Sequence, residues 1–217
     1  MKSAVFLRQQ KDLDKCLETL AAALQKFPKA SKLYMIQAQV HLLRNNIPAA
    51  RGSLSNGVKA CPRDPRLWIL ASRLEEMDGK SIKARALLEK GRLIVAKRDA
   101  KEKDKEEEGA RVLKGSEMVW AESVCVEERA ANVTASATKA ALTPLSFALH
   151  LASVPPLTSP QAKSMLARAL QDCPSSGMLW SLAIFSENRP QRKSKSVDAL
   201  KKSGDDAVVV CSVARLF

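Results

Sequence analysis

Three punctuation marks of one design recur along the chain: Phe27-Pro28, Cys61-Pro62 and Cys173-Pro174 are followed, six residues after each proline, by Tyr34, Trp68 and Trp180. The first two marks stand 34 residues apart, and so do Ala50 and Ala84, each opening an Ala-Arg pair. Thirty-four residues is the period of a helix-turn-helix repeat. In each unit a first helix begins near the aromatic residue and carries a glutamate seven positions on, as in Trp68/Glu75, Trp120/Glu127 and Trp180/Glu187. Seven residues make two helical turns, so the pair shares a face. Asn45-Asn46 and Asp78-Gly79 supply residues that tolerate the left-handed conformation of a helix end. A second helix then reads Ala84-Arg85-x-x-Leu88-Glu89-Lys90, with Ala50 and Leu54, and Ala162 and Leu166, in the corresponding places. One such hairpin cannot bury its own apolar stripe, whereas a row of them can. The predicted fold class is all-α, an α-solenoid of antiparallel helix hairpins with a 34-residue period.

Composition agrees. Glycine is scarce at 8 residues in 217, aromatics make up 4%, and hydrophobic residues make up 46%. The abundance of Ala, Leu, Lys, Glu, Gln and Arg favours helix and supplies enough apolar surface for a core.

Two segments break the count. Trp120 follows Trp68 by 52 residues and Trp180 follows Trp120 by 60, which leaves surpluses of 18 and 26. The first is expected within residues 95–116, a run of nearly balanced charge that reads as a solvated helix extension or loop. The second, 133–160, is rich in Ala, Ser, Thr and Pro and is expected to be a poorly ordered surface loop. The predicted organisation is therefore helical repeats 1 to 3 in 1–94, an insertion in 95–116, the first helix of repeat 4 in 117–132, and an insertion in 133–160. Residues 161–217 then hold the second helix of repeat 4, repeat 5 and an unpaired terminal helix. In that last helix Val209, Val213, Leu216 and Phe217 share one face, which is expected to find no partner within the chain. Cys61 and Cys173, standing where Phe27 stands in the first copy, are expected to be buried hydrophobes.

The W-x6-E first helix with an A-R-x-x-L-E-K second helix resembles the half-a-TPR, or HAT, repeat, which is found mainly in RNA-processing assemblies. Further stretches are similar to the pre-mRNA-processing factor six family of splicing factors: LWILASRLEE at 67–76, VWAESV at 119–124, ARALQDCPSSGMLW at 167–180 and RPQRKSKSVDALKK at 189–202. The resemblance is that of a fragment or divergent form with two insertions. It implies a nuclear, non-catalytic scaffold that bridges proteins of the U5 particle and the U4/U6.U5 tri-snRNP and uses no cofactor.

The charge and the reactive residues fit a binding protein. Lys and Arg number 36 against 23 Asp and Glu, a net charge of +13, which attracts phosphate, anionic lipid or acidic protein faces. The most apolar window, 140–157, is cut by Pro144, His150, Pro155 and Pro156, so a membrane span is not expected. No secretory signal is read in the opening residues, and the odd count of cysteines, Cys16, Cys61, Cys125, Cys173 and Cys211, without a C-x-x-C pair, suits a reducing compartment. His41 and His150 have no partner at metal-ligand or triad spacing, and no phosphate-binding or nucleophile motif occurs. No enzyme, metal, cofactor or small-molecule substrate is expected. The recurrence of Trp68, Trp120 and Trp180 favours wedges between helices over base-stacking platforms. Arg189, Arg192, Lys193, Lys195, Lys201 and Lys202 are the candidate partner contacts, read either as a solvated helix face or as a surface for RNA phosphate or an acidic protein. The alternative function is a direct RNA-binding repeat module in rRNA processing or mRNA 3′-end formation.

Overall fold

The structure, a computed structural model, describes residues 12–102, 115–131, 159–204 and 206–216. The greater part of both expected insertions, His150 and Phe217 lie outside these. The chain divides into two compact units, Met1–Glu106 and Glu107–Phe217. Among the described residues there are ten helices and no strand: α1 (Leu13–Lys26), α2 (Ser31–Leu43), α3 (Ile47–Ala60), α4 (Pro65–Met77) and α5 (Ser81–Glu102) in the first unit, and α6 (Gly115–Ala131), α7 (Pro160–Asp172), α8 (Gly177–Ser186), α9 (Arg189–Ser203) and α10 (Ala207–Ala214) in the second. Neighbouring helices pack in succession, α2 on α3, α4 on α5, α6 on α7 and α8 on α9, and first helices also touch first helices, α2 with α4, α6 with α8 and α8 with α10. Each unit is thus a short stretch of all-α solenoid.

The helix ends follow from local chemistry. Asn45 (φ 56) and Gly79 (φ 76), one repeat apart, adopt the left-handed conformation that ends a first helix. The residues after them close identical bonds, Asn46 N–H to His41 C=O at 2.9 Å and Lys80 N–H to Glu75 C=O at 2.8 Å. Second helices end on Phe27, Cys61 and Cys173, whose N–H groups still reach back four residues while φ and ψ have left the helical region. The prolines that follow cannot supply the next N–H donor. Side-chain caps then start several helices: Asn46 accepts from Ala49 N–H, Asp64 from Arg66 N–H, Ser159 from Ala162 N–H, Ser176 from Leu179 N–H and Asp206 from Val208 N–H.

Three sequence expectations meet different structure. Cys61 and Cys173 are half-buried and Phe27 is 64% exposed, because this position caps a helix at the rim of the unit, where Cys173 still touches the core of its unit from the side. The Cys61 thiol donates to the Lys29 carbonyl at 3.1 Å, and burial, with Asp64 nearby, pushes its pKa up. Val95, placed by its sequence at the start of a solvated segment, is completely buried, although α5 does extend to Glu102 as one of the two forms expected of that segment. The face of α10 is not open. Val209 is fully buried and Val213 and Leu216 pack on the core of the second unit, because a first helix rests on the first helix of the preceding hairpin, here α8, before any second helix is needed.

Candidate interaction surface

The repeat-defining residues assemble into one recurring contact. The Tyr34 hydroxyl donates to the Pro28 carbonyl at 3.0 Å, and the indole N–H groups of Trp68 and Trp180 donate to the Pro62 and Pro174 carbonyls, each at 2.8 Å. The six-residue spacing is therefore the reach of a side chain back across its own turn. Trp68, Trp120 and Trp180 are buried, and so are Ala50, Ala84 and Ala162 on the second helices. Seven residues beyond Ala50 and Ala84 lie Gly57 and Gly91, buried in α3 and α5. A Cβ at Gly57 would stand 2.9 Å from Tyr34 Cβ, and one at Gly91 2.9 Å from Trp68 Cγ. The equivalent places in the second unit are the buried Ala169 and Ser203. The aromatic ring thus needs a small residue opposite, a pairing that the 34-residue offset of the two glycines displays in sequence although the residue patterns above do not include it.

At Glu75 the glutamate position links two hairpins. Glu75 is buried and accepts from Arg51 Nε at 2.5 Å across 24 residues, while Arg51 Nη2 also reaches Asp78 at 2.5 Å. Lys80 joins at 2.5 Å from Asp78, so hydrogen bonds from Lys80 and Arg51 hold the Asp78 carboxyl below the usual carboxylate range. His41 occupies this position in α2, half-buried, and burial together with Arg44 lowers its pKa. Glu127 is half-buried on the rim of an open groove of about 450 Å³ shared with Pro160, Gln161, Ser164, Met165 and Arg168. Its neighbour Glu128 is buried and accepts the Ser159 N–H at 2.9 Å, pinning the start of α7 to α6. Glu122, 1% exposed where the other hairpins hold Leu70 and Leu182, is paired with Arg129 at 2.7 Å.

The six candidate contacts on α9 divide into two sets. Arg192 Nε donates to the Glu187 carbonyl at 2.9 Å and its Nη2 to the Phe185 carbonyl at 3.4 Å, capping the carbonyl end of α8. Lys195 lies 3.9 Å from the Glu187 carboxylate, and Lys202 Nζ stands 5.6 Å from the Trp180 ring centroid. These three serve the hairpin itself. Arg189, Lys193 and Lys201 are exposed, and beside them Val197 and Leu200 are 50% and 38% exposed. Leu54, Leu88 and Leu166, which hold the place of Leu200 in the other second helices, are all buried. On α10, Val208 and Val210 are 42% and 48% exposed. The exposed surface of α9 and α10 therefore mixes cations with apolar side chains.

Among the described residues no group of three or more His, Cys, Asp or Glu is placed to hold a metal ion, and no helix is long and apolar enough to cross a membrane.

No protein-family model matches the chain. It is similar to Pre-mRNA-splicing factor prp1 of Schizosaccharomyces pombe, 32% identical over 198 residues that cover 91% of this chain and 17% of that protein. It is also similar to Pre-mRNA-splicing factor 6 of Saccharomyces cerevisiae, 22% identical over 220 residues, 98% of this chain and 19% of that protein. The chain spans less than a fifth of the length of these relatives. Its curated homologues are pre-mRNA-splicing factors of the HAT/TPR repeat kind, and the chain fits a divergent fragment of such a protein.

Proposed function

Proceeding from that homology, we propose that the chain is a non-catalytic scaffold of pre-mRNA splicing that acts in the nucleus and bridges proteins of the U5 particle and the U4/U6.U5 tri-snRNP. The homology supports a role in splicing. The observation that carries the scaffold reading is the surface of α9 and α10, where Lys193, Val197, Leu200, Lys201, Val208 and Val210 are exposed on a rigid hairpin stack. The mechanism is geometric. Within each unit, short-range packing fixes one hairpin against the next, so side chains of different helices keep fixed positions toward a partner without any moving part.

The test is competition. Excess chain added to a splicing extract should occupy the docking sites of the intact relative and block assembly at the tri-snRNP stage on a native gel. A variant carrying Lys193→Glu, Val197→Asp and Leu200→Asp should not. Inhibition that is equal for both, or a block at another stage, contradicts the proposal.

A further inference from the structure

The two edges of the first unit treat their cations in opposite ways. At the edge where first helices turn into second helices, most of the positive charge is paired: Arg44 with Asp14, Lys15 with Asp12, Arg51 with Glu75 and Asp78, and Lys80 with Asp78, while Lys83 alone is exposed without an ion pair among the described residues there. The other edge is formed by the turns at 26–32 and 59–66, which lie against each other through the Cys61 thiol on the Lys29 carbonyl. It exposes Lys26, Lys29, Lys32, Lys59, Arg63 and Arg66, and none of the six makes an ion pair among the described residues. The single carboxylate in these turns, Asp64, is engaged by the Arg66 N–H.

The placement is periodic, and at the helix N-termini it is locally unfavourable. Lys29 and Arg63 stand one residue after the proline of successive turns, and Lys32 and Arg66 four residues after it. The turns share a bond pattern, Ala30 N–H to Phe27 C=O and Asp64 N–H to Cys61 C=O, both at 3.2 Å, so the cations are presented in register. Lys32 and Arg66 fall in the first turns of α2 and α4, which hold no acidic residue, although the helix dipole there favours negative charge. Lys26 and Lys59 lie in the last turns of α1 and α3, where the dipole favours cations, and Asp64 caps α4, so it is Lys32 at the uncapped start of α2 that stands most clearly against the dipole. Between Lys26 and Lys29 projects the Phe27 ring, 64% exposed. A row of cations beside an exposed aromatic ring has what a single strand of nucleic acid requires, pairing for phosphates and a flat apolar face for an unstacked base.

We propose that this edge, Phe27 with Lys26, Lys29, Lys32, Lys59, Arg63 and Arg66, is a binding surface for single-stranded RNA. The choice of RNA over DNA rests on the proposed role in splicing; the surface itself rests on the geometry above. An acidic peptide would use the cations but would gain little from Phe27.

Fluorescence anisotropy of a labelled oligouridine with the full chain, across about 50 to 200 mM salt, tests this directly and needs no splicing extract. Affinity should fall linearly with salt on logarithmic axes. Replacing Lys29, Lys32, Arg63 and Arg66 by Glu should weaken binding at least tenfold and flatten the slope by about 3, since each single-strand phosphate contact contributes about 0.7. Phe27→Ala should weaken binding about fivefold or more and leave the slope unchanged. Circular dichroism checks folding, and the milder pair Lys29→Gln and Arg63→Gln, expected to flatten the slope by about 1.4, replaces the fourfold variant if that one does not fold. Wild-type affinity and slope in the charge variants would overturn the proposal. So would a polyglutamate peptide that displaces the RNA while Phe27→Ala has no effect, which would make the edge a docking face for acidic protein.

Discussion

Gly52 and Gly57 lie five residues apart in α3 and should answer the same substitution with opposite signs. Nothing stands within 4 Å of a Cβ built at Gly52, so Gly52→Ala should gain about 0.5 to 1 kcal/mol from helix propensity alone. At Gly57 the new carbon would meet Tyr34 Cβ at 2.9 Å and Leu67 Cδ2 at 3.1 Å, so Gly57→Ala should cost about 1 to 3 kcal/mol through overpacking. Denaturant melts of the two variants check this. Trp68 can be dissected likewise: Trp68→Phe keeps a ring and loses the N–H bond to Pro62, about 1 kcal/mol, whereas Trp68→Ala empties the wedge for about 3 to 5 kcal/mol. At residue scale the spacing from proline to aromatic was legible, because identical covalent distances recur with identical residue types. Its cause was not, since the acceptor is a main-chain carbonyl that leaves no mark in sequence. Glu122 was equally hidden, as nothing local distinguishes a carboxylate buried beside Arg129 from one on a solvated face.

At the scale of elements, the turn between α4 and α5 carries a pH signature. The folded-state pKa of Asp78 lies below its unfolded value, so the unfolded chain takes up the proton first as pH falls. The contribution is present above the ordinary carboxylate pKa of about 3.9 and is lost as pH drops through the lower folded value. Asp78→Asn should therefore flatten the acid limb of stability below about pH 4 and leave the shape near neutrality unchanged, by denaturant melts at several pH values. The effect is small, since these are partly exposed pairs. The terminal helix gives a sharper contrast. Val209 is completely buried and Val210 is half exposed on the same turn of α10, so Val209→Asp should lower the melting temperature while Val210→Asp should change stability by less than about 0.5 kcal/mol. Helical spacing revealed that Val209, Val213 and Leu216 share a face. It did not reveal that the face rests on α8, because contacts between first helices of successive hairpins join residues about 30 apart with no pattern beyond the apolar stripe itself.

On the scale of the whole molecule, the repeat both organises the fold and distributes the surfaces. Buried positions of the repeat are uniform: small residues at Ala50, Ala84 and Ala162, and an aromatic wedge at Trp68, Trp120 and Trp180. Positions that face solvent are free to differ, and they do, with unpaired cations on one edge of the first unit and a mixed basic and apolar face on α9 and α10 of the second. The basic run on α9 was visible in sequence as a candidate, but charge alone could not tell Arg192, Lys195 and Lys202, which serve their own hairpin, from Arg189 and Lys201. The edge cations escaped notice because they are scattered over 41 residues and meet only when the turns stack. A scaffold must hold more than one partner at once, and sequential affinity purification measures that property. The tagged chain is captured from nuclear extract treated with ribonuclease, and the eluate is then captured on an antibody to a U5 protein and read by mass spectrometry. Proteins of the U4/U6 particle should be recovered in the second eluate, and their loss in the variant carrying Lys193→Glu, Val197→Asp and Leu200→Asp should follow. A second eluate without U4/U6 proteins, with the chain itself present, would contradict the bridging role.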